Sequence, residues 1–284
     1  MERFKNIIIP GVEGKPITLD IFYKKSAVQP VIIYAHGFNG FKDWGNFDLI
    51  ATQFAEADFT FIKFNFSHNG TTPAEPELFV DLEAYGNNNY TKQLDDLQKV
   101  IEWTVDESNP HGGAIDKKSL LLIGHSLGGG IALIKAAEEQ RIMGITTWAS
   151  IDQCKTPWGN WPVEKLKEWE KTGVEHYTNS RTGQQLPLYY QLYQDYQANQ
   201  QRLDIIKSVQ QLNIPLLICH GSNDEAVHVS SAYKIHEAAK DSKLFITASD
   251  HVFGRKHPWL EKDLPSAMQQ VVDETISFFK RCRC

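Results

Sequence analysis

Leu120-Leu-Leu-Ile-Gly-His-Ser-Leu-Gly-Gly-Gly-Ile-Ala132 is the most informative stretch of this sequence, because an apolar strand runs into it and an apolar helix runs out. Within it, Gly124-His-Ser-Leu-Gly128 matches the G-x-S-x-G pattern, in which a serine stands on a sharp turn between a strand and a helix. Flanking glycines remove the Cβ clashes that such a turn creates, and the following helix N-terminus favours developing negative charge. We therefore predict that Ser126 is a nucleophile.

The alternative interpretation of this stretch is a glycine-rich turn or a phosphate-binding loop. A phosphate loop requires Lys before Ser or Thr, and a dinucleotide-binding turn requires G-x-G-x-x-G. Neither pattern is present, so the nucleophile interpretation is favoured.

Around this turn, short β-type runs alternate with segments of helical periodicity, which is typical of a mostly parallel sheet with helices on both faces. An N-terminal antiparallel hairpin is predicted from residues 4–9 and 17–23. Buried strands are predicted at 31–35, 59–66, 120–124, 145–149, 215–220 and 243–248, and helices around 94–105, 127–139 and 266–281.

A serine nucleophile requires a base and an orienting acid, and after this kind of turn they follow in the order Ser, Asp or Glu, His. Asp224 follows a predicted buried strand in the turn Gly221-Ser-Asn-Asp-Glu-Ala-Val227 and is the favoured acid. The alternatives are Glu225 as the acid, or an ordinary turn without a catalytic role. Among the histidines beyond Asp224, His251 directly follows the last predicted strand and is the favoured base, with His257 as its rival.

The tetrahedral intermediate of acyl transfer needs two backbone N–H donors close to its oxyanion. One donor is predicted to be the N–H of Leu127, the residue after the nucleophile. The other should come from the loop after an earlier strand, where Val31-Ile-Ile-Tyr-Ala-His-Gly-Phe-Asn-Gly40 makes Phe38 the favoured donor, ahead of Asn39.

Residues 153–202 interrupt the alternation of strands and helices. They are rich in Trp and Tyr and show no strand pattern, so we predict a helical insertion, with residues 1–152 and 203–284 as the core. The insertion is interpreted either as an extra packing layer or as a lid, and the lid is favoured because of its position. Trp158, Trp161 and Tyr193 are the predicted pocket residues.

Composition and charge limit the function further. The net charge of −6 argues against nucleic acid as a partner, and the short apolar runs argue against a membrane span. Met1-Glu-Arg-Phe-Lys5 has no apolar signal core, so a soluble, cytoplasmic protein is expected. The cysteines, including Cys282 and Cys284, lack the further ligands that a metal site requires, and a homodimer is left open.

Taken together, these motifs resemble the alpha/beta-hydrolase superfamily, and within it the serine-aminopeptidase-like or cinnamoyl-esterase-like group. The motifs are, in order along the chain, His36-Gly-Phe-Asn-Gly-Phe-Lys-Asp-Trp44, Phe64-Asn-Phe-Ser-His-Asn-Gly70, the Ser126 turn, Ile214-Pro-Leu-Leu-Ile-Cys-His-Gly-Ser-Asn-Asp224 and Ser249-Asp-His-Val-Phe253. The resemblance implies a catalytic triad, no metal and no organic cofactor. Where many relatives have Asp-x-Arg-Gly, this chain has Asn65-Phe-Ser-His-Asn-Gly70, so no role of an Arg is carried over.

The expected activity is hydrolysis of a small-molecule carboxylic ester through an acyl-enzyme. The first alternative is an amide hydrolase of the acylaminoacyl- or aminopeptidase type. An inert binding relative is an alternative from another class, and a lyase or haloperoxidase on the same fold also stays open.

Overall fold

The structure is a computed structural model, and it describes residues 1–25 and 28–282. Cys284, considered above, lies outside the described residues. The strands are β1 (Glu2–Pro10), β2 (Pro16–Tyr23), β3 (Gln29–Ala35), β4 (Thr60–Asn65), β5 (Ile115–His125), β6 (Ile142–Trp148), β7 (Val174–Thr178), β8 (Gln185–Tyr189), β9 (Leu216–Gly221) and β10 (Ser242–Thr247). The helices are α1 (Phe47–Glu56), α2 (Leu82–Gly86), α3 (Tyr90–Val105), α4 (Leu127–Glu138), α5 (Val163–Thr172), α6 (Gln191–Ala198), α7 (Ile205–Gln211), α8 (Ser230–Ala238) and α9 (Ser266–Arg281).

Within the described residues, one eight-stranded sheet runs in the order β1-β2-β4-β3-β5-β6-β9-β10. The first two strands form the predicted antiparallel hairpin, and β2 also pairs antiparallel with β4. The remaining pairs are parallel. The predicted mostly parallel sheet is confirmed.

Helices cover both faces of this sheet, because successive strand residues point to opposite sides. On β5, Leu122 packs into a core with α3, α4 and α8, whereas its neighbour Leu121 packs into a second core with α1 and α9. Fully burying one such side chain contributes roughly 1.5–3 kcal/mol. The sheet is thus buried between two apolar layers, which fixes its strand ends. Among the described helices, none is long and apolar enough to cross a membrane.

The insertion contains more than helices. Besides α5 and α6, strands β7 and β8 form a separate antiparallel pair, so the prediction of a segment without strands was wrong. The two strands are joined by a tight loop in which the N–H groups of Thr182 and Gly183 donate to the Asn179 carbonyl oxygen. Gly183 adopts a φ of +71° there, a conformation that glycine adopts at little cost. The turn residues Asn179 and Gly183 were the available signal for this hairpin.

Buried ion pairs anchor the loop that follows β3. The Nζ atom of Lys42, in that loop, lies 2.8 Å from Oδ2 of Asp20 on β2. The Nζ atom of Lys63 on β4 lies 3.0 Å from the same oxygen, and Asp43 pairs with both ammonium groups. Because a buried charge is costly unless it is paired, these contacts hold the loop against β2 and β4.

Candidate active site

Ser126 stands at the sharp turn between β5 and α4. Its backbone has φ 56° and ψ −122°, and its N–H donates to the Trp148 carbonyl oxygen at 2.9 Å. The flanking glycines are required by close backbone approaches: a Cβ on Gly124 would lie 2.3 Å from the Gly128 oxygen, and a Cβ on Gly128 would lie 2.4 Å from the Ala35 oxygen. Such strained positions persist only where the surroundings enforce them, and they cluster at active sites.

Asp224 and His251 form a hydrogen-bonded pair at the ends of β9 and β10. Nδ1 of His251 donates to Oδ2 of Asp224 at 2.7 Å. The N–H groups of Ala226 and Val227 donate to Oδ1 of Asp224 at 2.9 and 2.8 Å. Burial acts to raise the pKa of the Asp224 carboxyl, but the hydrogen bonds from His220 and His251 hold it well below its usual range. Asp224 is therefore ionised at neutral pH and fixes the orientation of the His251 ring.

Two buried histidines flank this pair. Nε2 of His220 lies 2.8 Å from the Val227 carbonyl oxygen and 3.2 Å from Oδ2 of Asp224. Nε2 of His125 donates to the carbonyl oxygen of His251 at 3.0 Å. Burial and the neighbouring His251 lower the pKa of His125 far below its usual value, so His125 stays neutral and adds no charge beside His251.

The rival acid and base lie elsewhere. Glu225 is exposed to solvent. His257 accepts a hydrogen bond from the Gly45 N–H at 3.1 Å and packs edge-on against Phe41, with ring centroids 4.9 Å apart. Neither residue lines the cavity that contains Ser126 in the described part of the chain.

The two predicted oxyanion donors approach Ser126 from two elements. Leu127 begins α4, and Phe38 lies in the loop after β3. That loop passes so close that a Cβ on Gly37 would lie 2.8 Å from Cβ of Ser126. Among the described residues, the N–H groups of Leu127 and Phe38 have no hydrogen-bond acceptor. The arrangement offers two unused donors next to the serine.

Ser126 and His251 line one cavity of about 610 Å³, here called the Ser126 cleft. A volume of this size is typical of small-molecule sites, which occupy roughly 300–1,000 Å³. One wall comes from the loop after β3, including Phe38. Another part of the lining comes from the insertion, with Lys155, Thr156, Pro157, Gly159, Asn160, Tyr177, Asn179, Ser180 and Arg181.

The three aromatic residues that were predicted to line the pocket lie outside it. In the described part of the chain, Trp158, Trp161 and Tyr193 do not line the Ser126 cleft. Trp158 is 3% exposed and packs edge-on against Tyr193, with centroids 6.0 Å apart, while Trp161 packs on Trp169 at 5.3 Å. These rings bury their apolar surface against one another, as clustered aromatic side chains commonly do. Tyr177 on β7 reaches the cleft instead, packing edge-on against Phe38 at 5.2 Å.

One group of carboxylates in the described residues converges closely enough to surround a cation, namely Asp20, Asp43 and Asp48. The ammonium groups of Lys5, Lys42 and Lys63 lie among these oxygens. The negative charge is therefore already balanced by lysine, and the group is a structural ion network.

The family model described as BD-FAE matches residues 19–239 of the chain, which is more than half of its 284 residues. No curated protein matches the chain.

Several solved structures share the fold over nearly the whole length. Est1E from Butyrivibrio proteoclasticus aligns over 98% of this chain and 99% of its own, with a TM-score of 0.69 and 15% identity. GrgF, an alpha/beta hydrolase from Penicillium sp. sh18, aligns over 99% of both chains, with a TM-score of 0.69 and 20% identity. The esterase domain of a Rhodothermus marinus protein aligns over 99% of both chains, with a TM-score of 0.65 and 15% identity. The resemblance to the alpha/beta-hydrolase superfamily is confirmed.

Proposed function

The chain belongs to the BD-FAE family within the alpha/beta-hydrolase superfamily, and from this membership we propose a serine esterase that uses Ser126, His251 and Asp224. The observation that carries the proposal is the 2.7 Å contact between His251 Nδ1 and Asp224 Oδ2, in a site where His251 shares the Ser126 cleft with a strained serine. This combination supplies a nucleophile, a base and an orienting acid.

In the acylation step, Nε2 of His251 takes the proton of the Ser126 hydroxyl while Oγ attacks the carbonyl carbon of the ester. The oxygen that becomes negative accepts hydrogen bonds from the N–H groups of Leu127 and Phe38. The intermediate then collapses, the bond to the alcohol oxygen breaks, and the proton on His251 passes to the leaving alkoxide. Removing one such oxyanion donor costs roughly 10²–10³ in kcat in a well-characterised protease.

Deacylation repeats the route with water. His251 takes a proton from the water, hydroxide adds to the acyl carbonyl, and the same two N–H groups hold the oxyanion. Collapse of the intermediate breaks the bond to Ser126 Oγ, which regains its proton from His251. Throughout, the ionised Asp224 stabilises the positive charge that forms on the imidazole ring.

We further propose that residues 153–202 act as a lid over a core formed by residues 1–152 and 203–284. The support is that this segment supplies one wall of the Ser126 cleft, including Thr156 and Tyr177. One solved relative, Est1E from Butyrivibrio proteoclasticus, holds ferulic acid, so aromatic acyl esters belong among the first substrates to test.

The decisive experiment combines covalent labelling with a substrate panel. A fluorophosphonate probe should label the wild type and a Ser108→Ala control, but not Ser126→Ala. p-Nitrophenyl esters of graded chain length and feruloyl esters should be hydrolysed, and aminoacyl anilides should not. Hydrolysis of the anilides alone would favour an amide hydrolase, and an unlabelled wild type without hydrolysis would indicate an inert binding relative.

A further inference from the structure

Arg255 is an unusual residue in the Ser126 cleft, because it is buried and forms no salt bridge with any described carboxylate. It lines the cleft together with Ser126 but is only 4% exposed. Its Nε–H donates to the Val252 carbonyl oxygen at 3.1 Å, whereas its buried Nη1 has no hydrogen-bond partner. In the described residues, no carboxylate lies within salt-bridge distance of this guanidinium group.

Aromatic side chains lie beside the guanidinium group, and one of them, Tyr34, also interacts with it electrostatically. The guanidinium carbon lies 5.4 Å from the ring centroid of Trp44 and 5.1 Å from that of Phe47. Burial lowers the pKa of Arg255 to about 10, so the group remains protonated at neutral pH. Cation–π contacts compensate only part of the loss of hydration, and a buried cation is normally completed by an anion. In the described residues, Asp250 acts on this cation only at longer range, and no carboxylate completes it with a salt bridge.

The other charged residues that line the cleft also favour an anionic ligand. Lys155 and Arg181 also line the Ser126 cleft, and no Asp or Glu does so in the described part of the chain. The whole chain nevertheless carries a net charge of −6. A cleft lined by one sign of charge concentrates ligands of the opposite sign, so this cleft selects anions within an acidic protein.

We propose that the Ser126 cleft takes an ester whose acyl or alcohol part carries a carboxylate, and that Arg255 binds that carboxylate. A guanidinium group presents its donors in a planar fork that fits a carboxylate in two parallel hydrogen bonds. Arg255 is thus a specificity-determining residue, and Lys155 and Arg181 attract the same charge at the entrance. The proposal rests on the esterase function proposed above.

Two pairs of esters test the proposal, each matching a carboxylate with its neutral carboxamide. Monomethyl glutarate and methyl glutaramate place the charge on the acyl part, and acetoxyacetate and acetoxyacetamide place it on the alcohol part. Released acid is followed by pH-stat titration, and each kcat/KM is divided by the hydroxide-catalysed rate of the same ester. In at least one pair, the carboxylate should be favoured on the order of ten- to a hundredfold.

Three variants assign the preference to a residue. Arg255→Gln should reduce the ratio of kcat/KM for the carboxylate to kcat/KM for its carboxamide towards one. Arg255→Lys should retain part of this preference because the charge remains. Lys118→Gln removes an exposed positive charge outside the cleft and should leave the ratio unchanged. Because the wild-type ratio needs no variant, the test holds even if Arg255→Gln fails to fold.

The possible failures are distinguishable. If the wild type hydrolyses neutral and anionic esters equally well in both pairs, the anion inference is wrong and the esterase function stands. If a strong preference survives in a folded Arg255→Gln variant, the assignment to Arg255 is wrong. If no ester of any kind is hydrolysed, the esterase function fails and the inference falls with it.

Discussion

Nε2 of His220 lies 3.2 Å from Oδ2 of Asp224, the same carboxylate oxygen that accepts a hydrogen bond from His251. His220 is fully buried and does not line the Ser126 cleft in the described residues, so it touches no substrate. In the proposed mechanism it therefore acts through Asp224, as a positioning residue.

Replacing His220 by Leu should therefore lower kcat roughly tenfold, the cost of one hydrogen bond to a charged group. Losing this donor also raises the pKa of the Asp224 carboxyl, because the hydrogen bond from His220 lowers it in the wild type. A more basic Asp224 carboxylate favours the positive charge on the His251 ring, so the acid limb of the kcat profile should move to higher pH, whereas a purely structural role would change only thermal stability. The measurement is a pH–kcat profile with p-nitrophenyl acetate, with His220→Gln as the variant that retains a donor.

The proposed triad predicts a ranking of single variants. Ser126→Ala and His251→Ala should each lower kcat by on the order of 10⁴ to 10⁶, because triad members act as a unit. Asp224→Asn should cost somewhat less, about 10⁴, by favouring the wrong imidazole tautomer. His257→Ala is the control and should leave kcat nearly unchanged. A fatal His257→Ala beside an active His251→Ala would overturn the base assignment.

The close approach at the Ser126 turn predicts a stability defect for Gly128→Ala. The added Cβ would lie 2.4 Å from the carbonyl oxygens of Ala35 and His36, which are backbone atoms that cannot rotate away. Overpacking of this kind costs about 1–3 kcal/mol or more. Gly113→Ala is the matched control, since its Cβ would meet nothing within 4 Å. Urea unfolding should show a lower midpoint for the first variant alone.

The buried ion network predicts a loss of stability in acid. Burial acts to raise the pKa of the Asp43 carboxyl, but Lys63 and Lys42 together hold it well below its usual range. Because the folded pKa is below the unfolded value of about 3.9, the stabilisation is complete above about pH 5 and is lost as the pH falls further.

The urea midpoint of the wild type should accordingly drop between about pH 6 and pH 3. Asp43→Asn should lose about 3–5 kcal/mol at pH 7, because it removes one carboxylate from two buried lysines that keep, among the described carboxylates, only Asp20 and Asp48, and it should respond less to acid. Asp106→Asn, which changes an exposed carboxylate, is the control. A wild type whose midpoint is independent of pH in this range would contradict the prediction.

The lid proposal predicts different defects for substitutions at two aromatic residues of the insertion. Tyr177→Ala should raise KM for aromatic esters and scarcely change hydrolysis of a short acetyl ester, because Tyr177 lines the cleft. Trp158→Ala should instead lower stability by about 3–5 kcal/mol, since it empties a buried site. The comparison is kcat/KM on both ester types together with the melting temperature. Equal losses on both esters for Tyr177→Ala would identify the insertion as a packing layer.

The sheet was predictable because its strands are defined by local patterns, short apolar runs bounded by turn residues. The same rule placed Asp224 and His251 each directly after a predicted strand. The structure pairs those two strands and brings His251 Nδ1 within 2.7 Å of Asp224 Oδ2. The Ser126 turn was predictable from its glycines, whose Cβ atoms have no room.

Features that depend on distant partners were not predictable in this way. Lys63 is buried because carboxylates from other segments meet it, and a lone lysine in a strand gives no sign of this. Trp158 packs against Tyr193 within the insertion. The spacing of aromatic residues along the chain does not show which of them line a cleft and which pack on one another, so this contact was not predictable. Arg255 follows His251 by four residues, yet nothing in that spacing reveals a missing carboxylate.

The insertion leaves the sheet after β6 and returns through α7 to β9, which is paired directly with β6, with Ile145 opposite Leu216. Its two ends therefore stand on adjoining strands, and its length has no effect on the register of the sheet. Doubling such a segment costs only about 0.6 kcal/mol in loop-closure entropy. Under the lid proposal, the segment can therefore be lengthened or exchanged without moving the strand ends that hold Ser126, Asp224 and His251.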